Sequence, residues 1–214
     1  MCEELLVEQC APTMAGLKTG SLFSCPKEDR AELLRSIRSL NARLVPRGLR
    51  ILPVKTVGDR ELIYLYRPAR LRRDLEDALA TELLAERCYP AGGADRCVAE
   101  LVRRLNRETD FPHEVGLFLG YPPQDVEGFI REHARCAKCV GAWKVYGDEE
   151  AAKRTFALYK RCTRAYREDY LRRNPDRYHR DGYHRRIRRC HRAVCRGNIR
   201  RHRGRRRADA HRFR

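Results

Sequence analysis

FPHEVGLFLGYPPQDVEGFI, residues 111–130, changes its hydrophobic period from two to helical spacing within a few residues. Val115, Leu117 and Leu119 alternate with Gly116, Phe118 and Gly120, so both faces are small or apolar, the pattern of a buried strand. Pro122 and Pro123 stop such a strand, because proline has no N–H to give to a ladder and fixes φ near −65°. Proline also suits a first helical turn, and Val126, Phe129 and Ile130 give the following helix an apolar side. The stretch therefore predicts a central strand, a turn and a helix. His113 and Glu114 stand before it, and Tyr121 and Asp125 stand at its far end, where polar groups could form a site.

Two other phrases accompany it, CAPTMAGLKTGSLF (residues 10–23) and GAWKVYGD (residues 141–148). Together the three stretches resemble a family of uncharacterised bacterial proteins, known mainly from anaerobic Firmicutes and classed as a domain of unknown function. The likeness runs over roughly residues 2–170 and leaves out the basic tail after about Leu171. It implies a small soluble bacterial protein and supplies no catalytic residue to carry over.

Working outward, residues 3–9 read as a short helix and residues 10–24 as a loop or broken helix carrying Lys18. Glycines and hydroxyls near that lysine suggest a phosphate loop, but the glycine spacing and the preceding strand that such a loop needs are missing. Lys18 is left as a weak catalytic candidate in a packed loop. Residues 26–43 carry leucine and isoleucine at three- and four-residue spacing and predict an amphipathic helix. Residues 49–57 and 61–67 predict a hairpin turning at Gly58-Asp59, with Pro53 placing the first strand at an edge or bulge. Leu71, Leu75, Leu79 and Leu83 predict one helix, and Cys97 to Leu105 another. A short strand is expected within residues 141–146, then a helix over about 148–171 whose Phe156, Tyr159, Tyr166 and Tyr170 meet the core. The sum is an α/β or α+β fold in one compact domain, residues 1–171, with a mixed sheet of about four strands packed by helices.

The charge lies elsewhere. Residues 172–214 hold eighteen arginines, no lysine and three aspartates, a net charge of +15 out of +18 for the chain. That tail has too few apolar residues to offset its ordering entropy, so disorder is expected. Arg185, Arg186, Arg188, Arg189, Arg200, Arg201, Arg205, Arg206 and Arg207 are its candidate nucleic-acid contacts, since guanidinium groups neutralise phosphates without reading sequence. A solvated extension and a reading-frame extension are the competing readings.

No run approaches the roughly 18 apolar residues of a membrane span, and MCEELLVEQC lacks the basic start of a signal peptide. These features predict a cytoplasmic protein without a membrane partner. In that compartment ten cysteines argue for thiols, not a disulfide framework. Cys136 and Cys139, spaced C-x-x-C, could share a metal ion or close a reactive disulfide, with His133 as a further ligand and Cys10 or Cys162 as more distant ones. Packing or surface cysteines are the plain alternative. His113 and Glu114 form the acid–base candidate, although adjacent residues on a strand point to opposite faces. Trp143, with Lys144 and Tyr146, either lines a ligand cleft or closes the core edge. The expected function is a metal-, thiol- or small-ligand-binding protein with its site near the central strand, and the alternative is nucleic-acid binding through the tail.

Overall fold

The strand formed by LIYLY is the middle of the sheet. The computed structural model describes residues 3–107 and 111–174, and the arginine-rich stretch with its candidate contacts lies outside them. β3 (Arg60–Tyr66) pairs antiparallel with β1 (Gly20–Pro26) on one side and β2 (Arg50–Val57) on the other. Side chains on a strand alternate between faces, and here both faces are covered. Ile63 and Leu65 join a core with Leu6, Phe23, Leu33 and Ile37, whereas Tyr64 and Tyr66 join Leu71, Leu83, Leu101 and Phe118. The first core is supplied by α1 (Glu3–Met14) and α2 (Arg30–Leu44). The second belongs to α3 (Pro68–Leu75), α4 (Ala78–Glu86), α5 (Ala94–Arg107), α6 (Val115–Phe118) and α7 (Pro123–Arg131). Helices thus sandwich a sheet, and the described residues up to Tyr170 form one compact unit. The mixed helix-and-strand class is the one the sequence predicts.

Local chemistry sets the boundaries. Asp29 caps α2 by accepting from the Ala31 and Glu32 amides at 2.9 and 3.2 Å, satisfying donors that have no intrahelical partner. The β2–β3 hairpin turns at Gly58-Asp59, and its register shifts between Pro53 and Lys55, the bulge that a proline imposes on an edge strand. Asn41 of α2 covers part of that edge. Its amide nitrogen donates to the Ile51 carbonyl at 2.8 Å, and its oxygen accepts from the Ile51 N–H at 3.0 Å. One side chain thereby replaces a strand neighbour.

Three expectations change. The stretch expected as a loop or broken helix, residues 10–24, is the end of α1, a turn and the greater part of β1. Ser21, Phe23 and Cys25 all face inward, and the serine interrupted the apolar signal. The single helix through Leu71–Leu83 is two, because Asp77 accepts from the Leu79 and Ala80 amides at 3.0 and 3.1 Å and starts α4.

The largest change concerns the expected central strand. Val115–Phe118 is the short helix α6, closed by the Leu119 N–H donating to the Val115 carbonyl at 3.1 Å. Val115, Leu117, Phe118 and Leu119 are all at most 9% exposed, so core surrounds the turn on every side. A short apolar run that is buried all round carries no periodicity to separate strand from helix. Gly120 then takes φ +75°, the left-handed conformation that commonly ends a helix. Beyond α7 come a two-stranded hairpin, β4 (Cys139–Val140) and β5 (Lys144–Val145), and the long α8 (Glu149–Arg173).

Candidate ligand cleft

The proline that opens α3 places Arg67, Arg70 and Asp74 at helical spacing, and all three hold the turn between α1 and β1. Arg67 donates to the Thr13 and Met14 carbonyls at 2.8 and 2.6 Å, Arg70 to the Gly16 carbonyl, and Thr19 donates to Asp74. The Pro12 carbonyl accepts from the Leu17 and Lys18 amides at 2.9 and 3.1 Å. The Lys18 amide is therefore already engaged within the turn.

The same turn faces the end of α6. Gly120 packs against Thr19, where an added Cβ would lie 2.4 Å from the hydroxyl oxygen. Lys18 places its ammonium 5.3 Å from the centre of the Tyr121 ring, a cation–π arrangement. Burial lowers the Lys18 amine to about 8, a shift that the neighbouring Cys10 thiol opposes. Burial likewise pushes the Tyr121 phenol up to about 12, with Tyr159 adding to the effect. Tyr121 stacks on Trp143 with ring centres 4.9 Å apart, and Phe156 meets Trp143 edge-on at 4.6 Å.

Asp125, in the first turn of α7, fixes the third side. Its Oδ2 accepts from the Trp143 indole N–H at 2.6 Å, and its Oδ1 accepts from the Tyr146 and Gly147 amides, both at 2.7 Å. Three donors on one carboxylate that is 3% exposed compensate its loss of water. The residues between β5 and α8 are thus tied to α7. Asp148 Oδ1 accepts from the Ala151 amide at 2.9 Å and starts α8.

Between these walls lies a cleft of about 530 Å³, whose lining includes Leu17, Arg70, Asp125, Trp143, Thr155 and Tyr159. The three phrases that carry the resemblance each contribute to it, although more than one hundred residues separate the first from the last. A family model described as a protein of unknown function (DUF3793) matches residues 6–176. The chain belongs to this family. No curated protein and no solved structure matches. The family match encloses the whole cleft, since its lining runs from Leu17 to Tyr159.

The residues singled out from sequence are spread apart. His113 is exposed, its ring meeting Phe129 at 5.0 Å, whereas Glu114 is 2% exposed and turned inward. Glu114 accepts from the Tyr89 hydroxyl at 3.0 Å and lies 3.7 and 3.9 Å from Arg104 and Arg87. It forms part of a buried polar anchor between α5 and α6. Burial raises the Tyr89 phenol, and the Glu114 charge adds to that shift.

Cys136 is exposed, Cys139 half-buried and His133 exposed. Cys10 is fully buried, with its thiol raised by burial, and Cys162 is half-buried. Among the described residues no group of three or more His, Cys, Asp or Glu side chains is placed to hold a metal ion. No described helix is long and apolar enough to cross a membrane. Trp143, Tyr121 and Asp125 were legible as candidates. Arg70 and Tyr159 carry no such signal in the sequence, because a lone arginine and one member of an aromatic stripe form no motif.

Proposed function

We propose that the protein binds a small organic ligand in the cleft between the α1–β1 turn, α7 and α8. The observation that carries this reading is the convergence of three distant stretches on one concavity whose wall is held by Asp125. Its volume falls within the roughly 300–1,000 Å³ usual for small-molecule sites. Apolar and aromatic walls with a few placed polar groups are the usual make-up of such sites, and Leu17, Trp143 and Tyr159 beside Arg70 follow it. The cleft stands beside α6 and α7, the stretch in which the sequence predicts a central strand and its following helix.

Trp143 is the chain's only tryptophan, so the cleft contains its own reporter. Titration with a fragment library, followed by tryptophan emission and ligand-observed NMR, should yield saturable binding that Thr155→Tyr blocks by filling the cleft. Circular dichroism would establish that this variant is folded. Binding that persists unchanged in the folded variant, or no binding at all, would refute the reading.

A further inference from the structure

We infer that the cleft takes a small planar organic anion, with the negative group at Arg70 and the flat body beside Trp143 and Tyr159. This rests on the ligand-binding reading above and adds the chemical class of the ligand.

Three charged side chains line the cleft, Arg70, Asp125 and Asp148. Asp125 accepts from the Trp143 indole and from two backbone amides, so its oxygens are engaged in holding the wall. Asp148 accepts from the Ala151 amide at the start of α8. Asp125 could meet an incoming cation only by giving up a structural bond, and the charge of Asp148, which is exposed, is screened by water.

Arg70 differs. A guanidinium has five N–H donors, and its side chain makes one hydrogen bond, from Nη1 to the Gly16 carbonyl. Asp74, one turn further along α3, accepts from Thr19 instead. The half-buried guanidinium therefore brings uncommitted donors to the cleft wall. A carboxylate or similar oxyanion matches that planar fork.

The remaining surface selects the body of the ligand. Trp143 is held between Tyr121 and Phe156 and by its own indole bond to Asp125. Its ring is set before any ligand arrives. Tyr159 comes from the facing turn of α8, with its hydroxyl 3.5 Å from the Leu17 carbonyl. Flat apolar surface fits fixed rings at little entropic cost, and a saturated chain has no comparable match.

The test uses the full chain and matched probes: benzoate, benzamide and benzylamine, then the corresponding indole acid, amide and amine. Binding is read from Trp143 emission for the benzene series and by ligand-observed NMR for both series. Each acid should bind at least about tenfold more tightly than its amide or amine. Arg70→Gln removes the charge, so it should abolish that preference, with circular dichroism establishing that the variant is folded. Amides or amines that bind as well as the acids would overturn the anion inference and leave the cleft as a ligand site. An acid preference that survives Arg70→Gln would overturn the role given to Arg70. Probes of all three charges failing to bind would overturn both the inference and the cleft reading.

Discussion

The Tyr64 hydroxyl donates to the Phe118 carbonyl at 2.6 Å, joining the middle strand of the sheet to the short helix that precedes the cleft. Tyr64 is 1% exposed and stacks on Tyr66 with ring centres 4.7 Å apart. Burial raises its phenol well above the usual range, so the hydroxyl stays a donor. Gly20 makes the approach possible, since a Cβ there would lie 2.6 Å from the same Phe118 oxygen. Tyr64→Phe should keep the packing but leave that carbonyl unpaired, costing about 1–3 kcal/mol. Chemical denaturation would measure the loss. An unchanged midpoint would show that the bond is not needed to seat α6.

Asp125→Asn tests the third wall. An amide has one acceptor oxygen where the carboxylate has two, so one of the three donors must face an NH₂ group. A loss of roughly 2–4 kcal/mol is expected, with Trp143 emission shifting to the red as the indole gains water. A variant with native emission and stability would show that the β5–α8 corner is held by packing alone.

These two residues also show what the sequence could and could not reveal. LIYLY is apolar at every position, as a strand covered on both faces must be, and the structure places it in the middle of the sheet. The Val115–Leu119 run looked equally strand-like but is a helical turn, because burial on all sides erases the periodicity that local pattern depends on. Asp125 was legible as a polar residue at the right place. Its partners were not, because Trp143 and Gly147 meet it through tertiary contact across a hairpin. Arg70 was invisible for the same reason: its significance lies in which carboxylates on the opposite wall are already engaged.

Lys18 should make stability depend on pH in a defined direction. Its folded value of about 8 lies below the ordinary 10.5, so between those values the unfolded chain binds more protons at this site. The resulting penalty on folding is full below about pH 8 and fades as pH rises towards 10.5. Lys18→Met should therefore be more stable than the parent at pH 7, by about 1–2 kcal/mol after allowing for residual solvent at the amine and the lost contact with Tyr121. The difference should shrink when both proteins are unfolded at pH 10. A constant difference across that range would show that the amine is not desolvated.

The described cysteines should divide by exposure, with Cys88 and Cys136 exposed and Cys139 and Cys162 half-buried. Cys10 and Cys25 are at most 2% exposed and their thiols are raised by burial, which lowers the fraction of reactive thiolate. Cys136 is exposed on a turn in which His133, Ala134 and Cys136 all have positive φ, at 47°, 63° and 55°. Non-glycine residues reach that region at some cost, and the turn is fastened on both sides. Lys144 donates to the Ala134 carbonyl at 2.6 Å, and Lys138 donates to the Gly147 carbonyl at 2.7 Å, beside the cleft. Alkylation of the native protein should therefore label Cys88 and Cys136 within the first minutes, Cys139 more slowly, and Cys10 and Cys25 only on unfolding. Treatment with a small disulfide oxidant should convert the Cys136 and Cys139 thiols to one intramolecular disulfide, the oxidant leaving as two thiols. Peptide mass spectrometry before and after oxidation reads both outcomes. Early labelling of Cys10 would contradict the packing of α1 against the sheet. Cys136 and Cys139 that both remain alkylatable after oxidant would show that the turn holds them apart, as ordinary surface cysteines.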